Sequence, residues 1–368
     1  MRKKRHRVKG VRLGRLVYDR RMVNFALLGA GRIGAMHAAN LAARSDARLV
    51  CVYDPVGAVA AAVAERRGAA AVPDVDAALG ADIDAVLIAS STDTHVPLII
   101  AAATAGKAVL CEKPIDLSLE RVARCWQAVR DTGVPIQIGF NRRYDPTHRR
   151  VRDLAASGAI GEIHQVIISS RDPEPPPPAY LRVSGGLFRD MMIHDFDLAR
   201  FVLGEEPTSI TAIGSALVDP AIGDLGDVDT AMVMMATASG VQCHVNCSRQ
   251  AAYGYDQRLE VHGSLGMVCS GNRLEDEARL FTADGAGSPA PLKRFFIERY
   301  AAAYQAELAD FVVAVATGRE PSVTFADGRR ALELAEAALR SLESGSTVPV
   351  PGDTVPVRGD AASERGGV

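Results

Sequence analysis

V-N-F-A-L-L-G-A-G-R-I-G, residues Val23 to Gly34, is the stretch on which the fold turns: an apolar strand runs straight into glycines at 29, 31 and 34. A helical pattern follows through Ala43. That spacing is the dinucleotide-binding fingerprint, in which the first glycine makes a tight turn, the second lets a pyrophosphate approach and the third packs helix against strand. The phosphates then lie at the helix N-terminus. A second strand, Arg48 to Tyr53, ends in Asp54, 20 residues past Gly34, where an acid can accept hydrogen bonds from the adenine ribose. Its charge repels a 2′-phosphate, and Pro55, Val56 and Gly57 bring no arginine to hold one, so the cofactor expected is NAD rather than NADP. Asp54 also suits a helix cap before Pro55, and the two roles are compatible. Gly29, Gly31, Arg32, Ile33, Gly34 and Asp54 are the cofactor residues at this end.

Strand and helix alternate from there: helix Val59 to Arg67, a short strand near Ala70, strand Ala85 to Ala89, helix Thr94 to Ala105, strand Ala108 to Cys111, helix Ser118 to Asp131 and strand Ile136 to Gly139. The alternation predicts an α/β, Rossmann-type doubly wound parallel sheet. Ligands lie beyond the carboxyl ends of such strands, which puts Ser90, Ser91, Thr92, His95, Glu112 and Lys113 on the cofactor side. A lysine is by default a surface charge. At this face, beside the positive nicotinamide ring, an ammonium is cationic only at a cost and is suited to polarise an alcohol or carbonyl oxygen.

Past Arg150 the pattern changes. Strands Glu162 to Ser170, Ser209 to Leu217, Thr230 to Ala238, Val241 to Ser248, Arg258 to His262 and Gly266 to Ser270 follow one another, with a hairpin signal at Ser239-Gly240. They predict an antiparallel sheet. Glu298 to Thr317 and Ala326 to Leu342 are amphipathic helices expected to return to the junction of two domains. Amid these strands, S-G-G-L-F-R-D-M-M-I-H-D-F-D-L-A-R-F, Ser184 to Phe201, reads as one largely buried helix. At about 100° per residue, Asp190, His194, Asp197 and Phe201 share one narrow stripe of it. A buried carboxylate needs a partner and can hold a histidine one turn away in one tautomer, so a catalytic pair and a satisfied core pair are both open. Asn141, Arg142 and Arg143 follow the last strand of the first half. Arginines there are usually solvated, yet Arg142 is placed to meet a polyhydroxyl ring. Tyr253 and Tyr255 share a face if their run is extended, either to bond a substrate or to pack.

With 368 residues the chain can bury a full core and hold two domains. A net charge of −2 gives no bulk attraction for nucleic acid. No run reaches the roughly 20 apolar residues of a membrane span. The six cysteines form no C-x-x-C pair. Cys243 and Cys247 share one strand face while His244 points to the other, so no metal is expected and all six read as buried free thiols in a reducing cytoplasm. Residues 1–21 hold ten Lys/Arg against the single acid Asp19, without the apolar core of a secretory signal. They read as a disordered extension or as sequence upstream of a start at Met22, with a nucleic-acid arm the other possibility. The expected division is 22–144 for the nucleotide domain and 145–343 for an α+β domain, with a flexible tail over 344–368.

Taken in order, G-A-G-R-I-G-A-M-H, S-T-D-T-H, C-E-K-P, G-F-N-R-R-Y-D and G-G-L-F-R-D-M-M-I-H-D-F-D resemble the glucose-fructose oxidoreductase and inositol dehydrogenase family, as do Y-G-Y-D-Q-R and F-I-E-R-Y-A-A-A-Y-Q-A-E-L. The resemblance spans about Met22 to Leu342. It implies that Lys113, Asp190 and His194 surround the reacting hydroxyl, and that the second domain carries an open, mostly antiparallel sheet whose outer face makes an oligomer, commonly a tetramer. It implies NAD-dependent oxidation of a cyclic polyol, first of all myo-inositol at carbon 2. Asn141, Arg142, Asp190, His194 and Tyr255 are then the substrate residues. Another inositol isomer, a pyranose sugar, or a sugar sensor that binds NAD without turnover are the alternatives. One segment sets the chain apart within the family: R-D-P-E-P-P-P-P-A-Y, Arg171 to Tyr180, belongs to one branch, and as polyproline II it stiffens a loop and removes donors.

Overall fold

Six strands with apolar cores and short connections build the first layer. They are β1 (Val23–Leu28), β2 (Ala47–Tyr53), β3 (Ala70–Ala71), β4 (Ala85–Ile88), β5 (Ala108–Glu112) and β6 (Ile136–Gly139). Between them run α1 (Arg32–Ala42), α2 (Gly57–Arg67), α3 (Val75–Leu79), α4 (His95–Thr104) and α5 (Leu119–Val129). All pairings are parallel and the strand order is β3-β2-β1-β4-β5-β6, the dinucleotide-binding order, with its switch point between β1 and β4. The computed structural model describes residues 22–283 and 285–351, so the expectations for 1–21 and for the end of the tail lie outside the described residues.

The second half opens with α6 (Pro146–Ala156), whose cap is Asp145: its Oδ1 accepts from the Thr147 and His148 amides. Next come β7 (Ile163–Arg171), α7 (Pro178–Ser184), α8 (Gly186–Asp190), α9 (Ile193–Leu203), β8 (Pro207–Ser215) and α10 (Pro220–Asp224). They are followed by β9 (Thr230–Thr237), β10 (Gln242–Ser248), β11 (Asp256–Gly263), β12 (Gly266–Ser270) and the hairpin β13 (Arg279–Thr282) and β14 (Gly285–Pro289). The chain returns through α11 (Phe296–Arg299), α12 (Ala301–Thr317), α13 (Phe325–Ser344) and β15 (Val348–Pro349). The main sheet runs β12-β11-β7-β10-β9-β8-β15. It is mixed: β10 and β7 pair in parallel and every other pairing is antiparallel, so the expected antiparallel sheet holds but for one pair. β15 pairs with β8, which extends the ordered sheet beyond residue 343.

Alternation divides this sheet into two faces. Val166, Ile168, Val233, Met235, Val245, Leu259 and Val261 are buried with Phe196, Leu198, Leu334 and Ala338 of the covering helices. On the opposite face Ile213, Met232, Met234 and Met267 are exposed. Cys243 and Cys247 lie on the buried face as expected, but Cys269 is exposed, because on β12 it falls on the outer face with Met267. Among the described residues no helix is long and apolar enough to cross a membrane.

The largest departure from the sequence reading lies between residues 184 and 201. Ser184 is the last residue of α7 and the rest of the stretch is two helices, α8 and α9, not one, so the single stripe of Asp190, His194, Asp197 and Phe201 does not exist. Gly185 and Gly186 adopt φ of +87° and +85°, a conformation that ends α7 and that a side chain resists. A second break follows at Met191-Met192, where the Met192 amide bonds Leu187 O, five residues back, at 2.9 Å. Asp197 and Phe201 point into the junction. Arg143 bonds Asp197 and Asp327, and Arg200 reaches Asp327 and Glu206, while the Arg143 guanidinium lies 5.4 Å from the Phe201 ring.

Candidate active site

The cofactor end is built by close backbone contact. A Cβ on Gly29 would lie 2.5 Å from the Ser90 amide nitrogen, and one on Gly34 would lie 2.0 Å from Gly29 O. Gly31 differs: a Cβ there would meet nothing within 4 Å, so the start of α1 faces open space of the kind a pyrophosphate takes up. Asp54 Oδ2 accepts from the Ala30 amide at 2.8 Å and Oδ1 from the Val56 amide at 2.9 Å, which pins the acid beside the turn without making it a helix cap. The residues present therefore fit a dinucleotide. Ser90 and Thr94 share a 2.6 Å hydroxyl contact, and Thr92 lies in the short turn between β4 and α4. His95 is buried, with Nδ1 2.7 Å from Pro114 O and Nε2 3.2 Å from Ser90 O, so it ties two loops together beneath the cofactor side.

At the end of β5 the chain turns out of the sheet, and Lys113 crosses to the second half of the molecule. Its Nζ donates to Asp190 O at 2.7 Å and lies 3.5 Å from Asp190 Oδ1. Asp190 ends α8, and His194 lies in the first turn of α9. The His194 Nδ1 atom is buried without a hydrogen-bond partner, and the Phe140 ring stands edge-on at 6.0 Å. Burial, then Lys113 and then Arg142 hold the His194 pKa well below its ordinary value, leaving the imidazole neutral. Lys113 and Asp190 thus meet directly, and His194 lies close enough for the Lys113 charge to act on it. The tautomer role expected of Asp190 is not observed: its carboxylate is taken up by Tyr180 OH at 2.8 Å on Oδ1 and by Arg249 Nη1 at 3.4 Å on Oδ2.

Arg142 is buried rather than solvated. It donates to Asp195 and to Ser170 Oγ, and lies 5.7 Å from the Tyr300 ring centre. Asn141 is buried beside it. Tyr255 is buried and meets the Tyr300 ring edge-on, while Tyr253 is exposed and donates to Asp256. The two tyrosines do not share a face, because Gly254 between them turns the chain at φ +120°. Two site residues went unread in the sequence. Asp172 follows β7 directly; burial pushes its carboxyl up to about 6, Arg249 pulls it down and Asp190 raises it again. Arg249 is buried; its Nη2 lies 3.9 Å from Asp227 Oδ2, and neither Nη2 nor Nε makes a hydrogen bond. Their signal was faint: an acid and a base each placed just past a strand end.

Glu112 points away from Lys113. His37 Nε2 lies 2.8 Å from Glu112 Oε1, and ligand atoms of His37, Glu112 and Glu307 all fall within 4.8 Å of one another, a cluster of metal-binding residue types that spacing along the chain does not reveal. Burial, then the Glu112 charge, push the Glu307 carboxyl well up, so it is read as a neutral acid.

A family model described as an oxidoreductase family with an NAD-binding Rossmann fold matches residues 23–140, and one for the GFO/IDH/MocA C-terminal domain matches residues 148–269. An inositol 2-dehydrogenase of Rhizobium meliloti (strain 1021) is 51% identical over 321 residues, which is 87% of this chain and 97% of that protein. The crystal structure of a myo-inositol dehydrogenase from Corynebacterium glutamicum superposes with a TM-score of 0.87 at 42% identity, covering 90% of this chain and 100% of that one. A scyllo-inositol dehydrogenase from Lactobacillus casei, solved with NAD(H) and scyllo-inositol bound, gives a TM-score of 0.83 at 29% identity over 90% and 99% of the two chains.

Proposed function

The chain belongs to the GFO/IDH/MocA oxidoreductase family, and we propose that within it the protein oxidises myo-inositol at carbon 2 to the ketone. It is an NAD-dependent oxidoreductase acting on CH–OH. The observation that carries this reading is the 2.7 Å bond from Lys113 Nζ to Asp190 O, which joins the ligand edge of the nucleotide sheet to the helix pair that bears Asp190 and His194.

Gly29, Gly31, Arg32, Ile33, Gly34 and Asp54 hold NAD, with Ser90, Thr92 and the Glu112-Lys113 edge beneath it. When bound, NAD accepts the hydride that leaves the ring carbon. His194, neutral in its cationic surroundings, takes the hydroxyl proton. A histidine so depressed is a weak base, so the ammonium of Lys113 must stabilise the developing alkoxide for the transfer to proceed. Asp190 accepts a hydrogen bond from a ring hydroxyl. Asp172 and the free donors of Arg249 hold further hydroxyls, while Arg142, fixed on Asp195, supports them from below.

The division after residue 144 follows from the same reading, with the second domain running past the expected 343 to include β15. The exposed row of Ile213, Met232 and Met234 supports a homotetramer built on the outer face of the mixed sheet. Six free cysteines support a reducing, cytoplasmic setting, and the polyol substrate supports a place in carbohydrate catabolism. A panel of inositol isomers and pyranose sugars, with NAD and NADP, followed by absorbance of the reduced cofactor, tests the proposal. The expected result is fastest turnover of myo-inositol with NAD. Preference for another polyol refutes the substrate, and NAD binding without turnover of any polyol favours a sensor.

A further inference from the structure

We propose that Tyr180 is a positioning residue that holds the Asp190 carboxylate apart from Lys113, and that the proline-rich strap between β7 and α7 exists to place it. This inference deepens the dehydrogenase reading and rests on it. The strap carries prolines at 173, 175, 176, 177 and 178. Pro177 is in the polyproline II region (φ −57°, ψ 146°), and Pro178 opens α7. The Tyr180 and Leu181 amides both bond Pro177 O, at 2.9 and 3.2 Å. Tyr180 therefore sits in the first turn of a helix whose start is set by proline, and little backbone entropy remains to be lost when its side chain is ordered.

The side chain is 47% exposed, yet its hydroxyl donates to Asp190 Oδ1 at 2.8 Å. Burial of the covered half of the residue first, and the Asp190 charge second, push the phenol pKa up, so it is a donor at neutral pH. Two cations compete for the same carboxylate: Lys113 Nζ at 3.5 Å and Arg249 Nη1 at 3.4 Å, both outside the 2.7–2.9 Å of a close charged hydrogen bond. The tyrosine occupies Oδ1, the oxygen nearest the lysine. Without its hydroxyl, Asp190 is free to close on Lys113 as a contact ion pair. The ammonium is then spent on a carboxylate instead of the developing alkoxide, and the carboxylate is withdrawn from the ring hydroxyl it would accept.

Steady-state rates of wild type, Tyr180→Phe, Asp190→Asn and the double variant, measured with myo-inositol and NAD at enzyme concentrations high enough for slow variants, test this. A hydrogen bond to a charged group sets the expected size: Tyr180→Phe lowers kcat/KM for the polyol about 10- to 100-fold, while NAD affinity and the melting temperature stay at wild-type values. Because the tyrosine acts through Asp190, the double variant is no slower than Asp190→Asn alone. A Tyr180→Phe enzyme within about twofold of wild type, or losses that multiply in the double variant, overturns the proposal. Wild type that turns over no polyol sinks the dehydrogenase reading and this inference together; active wild type with a silent Tyr180→Phe sinks this inference alone.

Discussion

Two glycines of one motif should fail in opposite ways when each receives a single methyl group. Gly31 has φ −63° and ψ −166°, which any residue adopts, and its Cβ would have nothing within 4 Å. Gly31→Ala therefore leaves the free protein as stable as wild type, or raises it by about 0.4–1 kcal/mol through the unfolded chain. The new methyl fills the space read as the approach to the pyrophosphate. If intrusion there costs what overpacking usually does, about 1–3 kcal/mol, NAD affinity falls roughly 5- to 150-fold. Gly34→Ala is the reverse case: its Cβ would sit 2.0 Å from Gly29 O and 2.9 Å from Gly29 C, so helix and turn must part by about 1 Å merely to reach 3.0 Å. Both obstructing atoms are backbone. The fold should lose about 1–3 kcal/mol or more, a fall in melting temperature of about 2–4 °C per kcal/mol. Thermal melts with and without NAD, beside a fluorescence titration, separate the two. At 100 times its dissociation constant NAD adds about 2.7 kcal/mol to wild type, a gain that at the same NAD concentration should shrink to about 0.3–1.8 kcal/mol in Gly31→Ala. A Gly31→Ala protein with the full NAD-induced rise, or a Gly34→Ala protein that melts with wild type, refutes the placement of cofactor at this turn.

Lys113→Met should slow turnover by about 10²- to 10⁴-fold and should also move the pH profile. His194 must be neutral to accept a proton, and one of the two charges that depress it is removed, so the acid limb of kcat/KM shifts to higher pH; a limb that stays or moves down contradicts the pairing. Asp172→Asn should trade activity for stability. From about pH 4 to 6 the unfolded chain has lost this proton while the native chain keeps it, so native stability falls as pH rises across that window, by on the order of 3 kcal/mol. The variant should melt higher than wild type at pH 7 and alike at pH 4, with weaker polyol binding; equal melting at both pH values refutes the shift. Met232→Glu with Met234→Glu puts two charges on the exposed sheet face and should reduce the particle size in gel filtration without unfolding the chain, whereas an unchanged elution volume removes that face from the assembly.

What could be read in the residues was the chemistry that acts locally. The turn at Gly29 to Gly34, the acid at Asp54 and the strands around them depend on neighbours a few positions away, and they stand where the motif puts them. The lysine after β5 is legible for the same reason. The helix from Ser184 to Phe201 misled because apolar periodicity continues through Met191 and Met192, which carry no turn residue to mark the break. The Gly185-Gly186 pair was the available warning. Asp190 finds Arg249 across 59 positions and Lys113 across 77, and no periodicity carries such contacts. Arg142 had the default of solvent; only the fold shows that Asp195 and Ser170 receive it.

The groups proposed to do the chemistry are held by groups given no part in it. From Phe140 to Asp145 one short segment supplies the ring beside His194, the arginine on Asp195, the arginine on Asp197 and Asp327, and the carboxylate that takes Arg299 Nη1 at 2.6 Å. Breaking one partner of such a buried pair costs about 3–5 kcal/mol, so α9 has one orientation relative to β6. Orientation fixed in this way spares His194 from being tied itself, and its Nδ1 is left without a partner. Lys113 likewise spends one bond on a main-chain carbonyl, which cannot take its proton, and keeps two donors for an oxygen. A site whose acid–base groups were instead satisfied by one another would be more stable and would have less to offer a hydroxyl.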